Sequence, residues 1–207
     1  MKETVFTSGG ALKEAYKILK PKWKQVTLIF GVLMGTFLVL LDEPSVLGSA
    51  ILTTLFSYWS VVIVTKFTDN GHCTWNDLFA GFTFKKFALF FFTGFITCMA
   101  VLGGMLLLFV PAIIVLVQLY FVKFIAIEED IAPLKVLHKS AELTKGYRWE
   151  IFEFFVISFL VNVLGALCLV VGLLFTIPLT MTATLLMYRK LVAAKKGEGE
   201  IVEATTK

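Results

Sequence analysis

Residues 131–149 read IAPLKVLHKSAELTKGYRW, the longest water-facing segment in the second half of the chain. They lie between two charge-poor segments, residues 87–122 and 154–188, each long enough to cross a bilayer twice. A gapless partial copy stands 126 positions earlier, with four matched pairs: Lys13 and Lys139, Ala15 and Ala141, Lys22 and Arg148, Trp23 and Trp149. Each copy is a short basic helix leading into a Trp at the start of an apolar segment. The chain is therefore predicted to contain two related units with a membrane hairpin between them.

The composition indicates that lipid is the solvent for much of the protein surface. Of the 207 residues, 58% are hydrophobic and 16% are charged, and the mean hydropathy is +0.86. A soluble domain averages about a quarter charged residues and just under half apolar ones, and a globule of this size cannot bury the excess. We predict one membrane domain, residues 25–191, between a cytoplasmic segment, residues 1–24, and a disordered cytoplasmic tail, residues 192–207.

The charge-poor segments predict an all-α fold, a polytopic transmembrane bundle of six helices. Residues 25–41 and 44–65 provide one span each. Residues 87–122 and 154–188, which contain 36 and 35 residues, provide two spans each. The turns inside the two long segments are predicted where helix-breaking residues occur: Gly103, Gly104 and Pro111 in the first, Gly172 and Pro178 in the second.

All 19 Lys and Arg residues fall on one side of this arrangement, whereas the outer turns carry only Asp42 and Glu43. Lysine and arginine are retained on the cytoplasmic side during insertion. A multi-pass protein of the cytoplasmic (inner) membrane, with both termini in the cytoplasm, follows. The first apolar segment lacks a small-residue cleavage site behind it, which favours an uncleaved span over a signal peptide. The cysteines, Cys73, Cys98 and Cys168, suggest neither a disulfide framework nor a metal site.

Three amphipathic helices are predicted at the cytoplasmic face of the membrane, around residues 11–20, 74–82 and 133–146. Their Trp and basic side chains suit contact with anionic headgroups. The residues assigned to this lipid contact are Lys13, Lys17, Trp23, Trp75, Lys139, Arg148 and Trp149. For the first helix, packing on the protein's own loops is an equal alternative.

The third amphipathic helix carries signals for both of its ends. Glu128, Glu129 and Asp130 precede it, which suits the positive end of a helix dipole. Pro133 fits the first turn, and Gly146 suits a left-handed residue at the C-terminus. The acidic cluster could also hold a divalent cation, but capping explains it without a ligand.

Small and weakly polar residues recur at four-residue spacing in four predicted spans: Thr27, Gly31, Gly35; Ala50, Thr53, Ser57, Ser60; Ser158, Asn162, Gly165, Ala166; Thr176, Thr180, Thr184. Such stripes allow close backbone approach and modest hydrogen bonds between helices in lipid. Helix packing is the favoured interpretation, and a polar path through the bundle is the alternative.

Four stronger polar groups also lie within the spans: Lys123, Glu153, Gln118 and Asn162. Ionisable residues at membrane depth need water or a partner. Lys123 and Glu153 lie at matched depth and are predicted to face each other, with snorkelling of Lys123 to the interface as the alternative. Gln118 and Asn162 are also at similar depth. Because Glu153 and Asn162 project to opposite sides of their helix, the four groups do not line one straight channel.

The motifs of common enzymes do not occur in the sequence, which has no nucleotide-binding loop, nucleophile elbow or metalloprotease helix. Asp69, His72, Cys73 and Asp77 match no common metal spacing and are interpreted as an ordinary polar loop. Topology and anionic lipid explain the basic helices without nucleic acid. No catalytic, cofactor-binding or metal-binding residue is assigned.

Several short stretches of the second half resemble a known family. They are Pro111-Ala-Ile-Ile, Glu129-Asp-Ile, Leu134-Lys-Val-Leu-His-Lys-Ser140, Glu142-Leu-Thr-Lys-Gly146 with Trp149, the interval from Gly172 to Pro178, and Tyr188-Arg-Lys-Leu191. In these stretches the chain resembles a family of bacterial six-span integral membrane proteins of unknown function. That family is related to the membrane domain of glycerophosphoryl diester phosphodiesterases and distantly to Yip1-type proteins. The resemblance implies a six-helix domain in a bacterial inner membrane and implies no activity.

The sequence favours a non-enzymatic integral membrane protein that organises the cytoplasmic membrane or scaffolds partners there. The alternative is a small transporter or lipid-handling protein, because paired repeats are frequent in transporters. An intramembrane enzyme is the third interpretation. A transporter predicts a water-filled cavity lined by Gln118, Asn162 or the threonine stripes, whereas a scaffold predicts a dry bundle with an exposed amphipathic underside.

Overall fold

The computed structural model describes residues 8–40, 45–71, 82–107 and 109–205, and within them the protein is all-α. In chain order the helices are α1 (Ser8–Leu19), α2 (Trp23–Leu40), α3 (Val46–Asn70), α4 (Phe84–Leu107), α5 (Phe109–Gln118), α6 (Val122–Glu128), α7 (Pro133–Thr144), α8 (Arg148–Leu167) and α9 (Leu169–Thr205). A 3-10 turn, Lys20–Lys22, joins α1 to α2.

Four helical segments are long and apolar enough to cross a membrane: Gly48–Asn70, Phe84–Met105, Pro111–Glu128 and Arg148–Leu167. The third combines α5 and α6, which are joined by a turn at residues 119–121. These segments indicate a multi-pass membrane protein. The predicted count of six would also require α2 and the first part of α9 to cross, and it stays a prediction.

The buried core lies at the end of the bundle where α1, α6 and α7 pack. Side chains with at most 2% exposure there include Ala15, Phe121, Ile125, Val136, Ile151, Leu185 and Leu191. The opposite halves of α4 and α8 instead place large apolar side chains on the surface. Met105 is 54% exposed, Leu164 63% and Leu167 75%. A continuous apolar surface of this kind is a liability in water but is solvated by lipid.

Helices α4 and α5 form a close hairpin around Gly104. A Cβ atom on Gly104 would lie 3.0 Å from the Cα of Ala112, so a larger residue would push the two backbones apart. The break between α4, which ends at Leu107, and α5, which begins at Phe109, falls between the predicted markers Gly104 and Pro111, although Gly103, Gly104 and Pro111 themselves lie inside the helices. Gly104 therefore allows the two helices of the hairpin to pack closely and does not itself form the turn.

The break between α8 and α9 is at Cys168, upstream of the predicted positions. A Cβ atom on Gly172 would lie 2.1 Å from the carbonyl oxygen of Gly165, so Gly172 lets α9 fold back against α8. Pro178 lies inside α9 and does not end it. The Thr182 hydroxyl donates to the Pro178 carbonyl at 2.8 Å, the kind of side-chain contact that lets transmembrane helices accommodate proline.

Helix α9 contains 37 residues, which corresponds to about 56 Å at 1.5 Å per residue. The hydrocarbon core of a bilayer is only about 30 Å thick. The C-terminal part of α9 therefore extends beyond any single crossing. It remains helical to Thr205, where the sequence predicted a disordered tail.

The end signals of the third amphipathic helix are confirmed at two positions and wrong at the acidic cluster. Pro133 is in the first turn of α7, and Gly146 has a φ of 97°, in the left-handed region. The start of α7 has no side-chain cap hydrogen bond. Helix α6 extends to Glu128, and Glu128, Glu129 and Asp130 form ion pairs instead of capping α7.

Three predictions fall on residues outside the described part of the chain. These are the outer turn with Asp42 and Glu43, most of the amphipathic helix expected over 74–82, including Trp75, and the N-terminal residues before Ser8.

Candidate functional site

Arg189 of α9 joins three helices at one end of the bundle. Its guanidinium donates through Nη1 to Asp69, near the end of α3, and through Nη2 to Glu128 Oε1 at 3.1 Å, at the end of α6. The hydrogen bond to Asp69 raises the pKa of the Arg189 guanidinium above its ordinary value. Arg189 is therefore a permanent cation between two carboxylates.

Further ion pairs extend this cluster across the same end of the bundle. Lys190 pairs with Glu14 of α1, Lys85 with Asp130 at 2.8 Å and Lys139 with Glu129 at 2.5 Å. The remaining ion pair among the described residues joins His138 and Glu142 of α7 at 3.2 Å, and it also lies at this end. We define the charged end by these eleven groups, which lie on α1, α3, α4, α6, α7 and α9 and at residues 129–130 between α6 and α7.

Several basic side chains at the charged end lie exposed, outside these pairs. We call them the basic margin: Lys13, Lys17, Lys20, Lys24, Lys135 and Arg148. On α1, the opposite face is buried, with Ala11, Ala15 and Leu19 at no more than 2% exposure. The apolar face of α1 therefore packs on the protein, chiefly on helix α9, whereas the alternative interpretation expected it to pack on loops.

The turn Lys20–Lys22 is held against the end of α3. Gly71 ends α3 with a φ of 70°, and a Cβ atom there would lie 1.9 Å from Lys22 Nζ. The ammonium of Lys22 thus lies at the negative end of the α3 dipole, where a cation is stabilised. Lys20, Lys24 and Trp23 line a basic hollow of about 820 Å³ beside this contact.

The predicted lipid-contact residues divide into exposed and internal ones. Lys13, Lys17 and Arg148 are exposed, and Trp149 is 74% exposed. Lys139 is instead paired with Glu129. Trp23 contacts Phe175 of α9, with ring centroids 5.1 Å apart, and Trp75 lies outside the described residues.

Arg148 and Trp149 border an apolar groove of about 430 Å³ between α5 and α8. Ile113, Val117 and Phe152 line it. A guanidinium at the rim of an apolar groove, at the start of a candidate span, suits the phosphate and acyl chain of a lipid.

The stripes of α8 and α9 pack against each other, as the sequence favoured. Asn162 Nδ2 donates to Thr180 Oγ1 at 3.2 Å and to the Ser158 carbonyl at 2.9 Å. A Cβ atom on Gly165 would lie 2.4 Å from Thr176 Oγ1, so the absence of a side chain at Gly165 makes room for Thr176 of the neighbouring helix. We call this contact the polar seam.

The other two stripes have different surroundings. On α2, a Cβ atom on Gly31 or Gly35 would meet no described atom within 4 Å, so close packing there is not observed. On α3, Thr53 and Ser57 line a groove that also contains Lys123. The same four-residue spacing of small and polar residues thus mediates packing between α8 and α9 but lines a groove on α3.

Lys123 and Glu153 do not form an ion pair in the described part of the chain. Lys123 lies on α6, which packs mainly on α4, α7 and α3, whereas Glu153 lies on α8, which packs mainly on α9. Two residues at the same depth can pair only if their helices are neighbours, and the sequence does not show which helices are neighbours. The Ser140 hydroxyl donates to the backbone carbonyl of Gln118 at 2.8 Å.

Arg189 and Lys190 were not identified from the sequence, although a signal was present. Asp69, Glu128 and Arg189 each stand where an apolar segment reaches the predicted cytoplasmic side. Opposite charges at one level of a bundle are candidates for pairing, but the sequence does not show which helices are neighbours. Within the described residues, no group of three or more His, Cys, Asp or Glu side chains is placed to hold a metal ion.

The chain matches no protein-family model, no curated protein and no solved structure. The geometry therefore carries the functional argument.

Proposed function

We propose that this protein is a six-span, non-enzymatic protein of a bacterial cytoplasmic membrane that organises lipid or scaffolds partners, with both termini in the cytoplasm. The four candidate spans support the membrane location, and the bacterial origin and the count of six follow from the sequence and its resemblance alone. The first part of α9 and the 18 residues of α2 would supply the two further spans.

The observation that carries the proposal is the separation of charge from exposed apolar surface. Ion pairs and the basic margin lie at one end of the helices, whereas Leu164, Leu167 and Met105 are exposed toward the other. Lysine and arginine beside spans favour the cytoplasmic side and attract anionic lipids. The carboxylates of the charged end are largely neutralised by pairing, so the basic margin dominates the surface that would meet headgroups.

Lipid selectivity in reconstituted vesicles tests this role. Spin-labelled phosphatidylglycerol should associate with the protein in preference to spin-labelled phosphatidylcholine. Replacing Lys13, Lys17, Lys20 and Lys24 by Gln should remove most of that preference, because each surface lysine contributes about 1 kcal/mol of attraction to an anionic membrane. The matched variant with four Arg residues should retain it. Equal selectivity of the Gln and Arg variants would contradict the proposal.

A lipid-handling function is the second candidate, and the groove beside Lys123 favours it over a solute transporter. The polar seam is a packed contact, whereas the Lys123 groove is open along two candidate spans. Solute flux through sealed vesicles that depends on Asn162 would favour transport instead.

A further inference from the structure

A groove runs between α3 and α4, with Lys123 of α6 at one end of its lining. Its volume is about 460 Å³. Thr53 and Ser57 of α3 form part of one wall, and Phe91 and Phe95 of α4 form part of the other. All three helices contribute to candidate membrane spans. The groove therefore combines a hydroxyl-bearing wall, an aromatic wall and one cation at membrane depth.

Lys123 is the member of this lining that carries charge. It lies five residues before Glu128, the end of its candidate span, or about 7.5 Å along the helix at 1.5 Å per residue. Its side chain is exposed toward the groove, and the ion pairs of the described residues do not include it. An ammonium at this depth needs an anion or water to stabilise it.

The hydroxyl groups of α3 are neutral, so they do not provide the anion that Lys123 needs. Thr53 Oγ1 donates to the Ser49 carbonyl and Thr54 Oγ1 to the Ala50 carbonyl, each at 2.8 Å. These two hydroxyl protons are therefore not available to a ligand in the groove. Lys123 remains the source of strong, charged donors in the groove. A ligand that fits must therefore present an anionic oxygen at the level of Lys123.

The rest of the groove requires that the same ligand be apolar. Phe90 and Lys123 lie five and seven residues from Lys85 and Asp130, which pair with each other, so the two are at a similar level. From Phe90 the lining of α4 continues to Cys98, about 12 Å along the helix at 1.5 Å per residue. Phe95 is 55% exposed and Cys98 is exposed, so the groove opens to whatever surrounds the spans. An acyl chain suits this length and surface, whereas a soluble anion would leave the aromatic wall uncovered.

We propose that the groove between α3 and α4 binds an anionic phospholipid of the cytoplasmic leaflet, with its phosphate at Lys123 and an acyl chain along Phe91, Phe95 and Cys98. This inference rests on the membrane location proposed above, and it adds a defined lipid site that is separate from the basic margin. The site has the chemistry of a lipid-handling protein, because it holds one headgroup and one chain between helices.

Photo-crosslinking tests the site. The protein is reconstituted in phosphatidylcholine vesicles that contain phosphatidylglycerol with a diazirine in one acyl chain, and adducts are mapped by mass spectrometry. Adducts should concentrate on α3 and α4 around Thr53, Phe95 and Cys98. Lys123→Gln should lower the yield there about tenfold, which corresponds to about 1.4 kcal/mol of binding free energy, while Lys123→Arg should keep it.

Two controls separate this site from general lipid attraction. Lys135→Gln removes the same charge from exposed α7 and should leave the groove adducts unchanged. The variant with Gln at Lys13, Lys17, Lys20 and Lys24 should also leave the groove adducts unchanged, even where it abolishes the selectivity of the surrounding lipid. Conversely, Lys123→Gln should not alter that surrounding selectivity, which also shows that the variant is inserted and folded.

Three results would overturn the proposal. Adducts of equal yield in wild type and Lys123→Gln would show that the ammonium does not hold the headgroup. An equal yield from diazirine-labelled phosphatidylcholine would show that the site does not select anionic lipid. Full displacement of the phosphatidylglycerol adducts by an equal mole fraction of free fatty acid, whose carboxylate shares the required chemistry, would show that a fatty acid is the preferred occupant.

Discussion

Arg189 Nη2 donates to Glu128 Oε1 at 3.1 Å, and this contact ties the longest helix of the protein to the end of α6. The same guanidinium reaches Asp69 through Nη1. One side chain thus fixes the relative positions of α3, α6 and α9 at the charged end.

Arg189→Gln should lower the stability of the protein, measured as the midpoint of thermal unfolding in detergent. The groups are partly exposed, at 35% for Arg189 and 28% for Glu128, so solvent screens the pairs and the loss should be about 1 kcal/mol. Lys196→Gln, an exposed position on the same helix, should have no measurable effect. A double variant with Asp69→Asn should lose less than the sum of the two single losses, because both remove the same pair. Strict additivity would show that the Arg189–Asp69 contact contributes nothing.

Gly165→Ala should destabilise the contact between α8 and α9. Its Cβ would lie 2.4 Å from Thr176 Oγ1 and 2.8 Å from Thr176 Cγ2, and overpacking of this kind costs about 1–3 kcal/mol. Gly31→Ala places a Cβ where no described atom lies within 4 Å, and it should be neutral or slightly stabilising because Ala favours helix. Resistance to unfolding by dodecyl sulfate measures both variants. Equal behaviour of the two variants would mean that Thr176 does not pack closely against Gly165.

Asn162 distinguishes a packed seam from a polar path. Asn162→Leu removes the hydrogen bond to Thr180 Oγ1 but also a buried carbonyl oxygen that has no partner among the described residues, so stability should change by less than about 1 kcal/mol. Asn162→Asp places a charge at membrane depth and should destabilise the protein by about 2.5–3.5 kcal/mol. A water-filled path would solvate the carboxylate, and tolerance of Asn162→Asp in unfolding assays would therefore support the transporter interpretation.

Cysteine labelling tests whether α9 crosses the membrane. Cys168 is exposed at the turn between α8 and α9. With Cys73 and Cys98 replaced by Ser, a membrane-impermeant maleimide should modify Cys168 in intact cells. In a background with all three native cysteines replaced, the Lys195→Cys variant should react only after the cells are permeabilised. Reaction of both sites from the same side would exclude a crossing by α9 and the count of six spans.

The sequence was informative wherever one helix determines the outcome. Pro133 and Gly146 were placed correctly because the first turn and the left-handed end of a helix depend on local backbone geometry. The stripes of α8 and α9 were also interpreted correctly, since a hairpin between adjacent helices leaves few other partners. The four candidate spans agree with four of the predicted crossings.

The sequence was misleading wherever the outcome depends on how separate helices are turned toward each other. Lys123 and Glu153 have the right depth for a pair, but their helices pack on different neighbours. The stripe on α3 looks like the stripe on α8, yet it lines the groove with Lys123. Proline signals also failed at Pro178, because a buried helix in a bundle can accommodate a residue that would end a solvated helix.

The contacts of α9 at the charged end have a consequence for the order in which the protein is made. The partners of Asp69 and Glu14, which are Arg189 and Lys190, lie 120 and 176 positions later in the chain. Until Arg189 and Lys190 have been synthesised, Asp69 and Glu14 lack the partners that they have in the folded protein. The charged end can therefore assemble only after α9 has been added to the earlier helices.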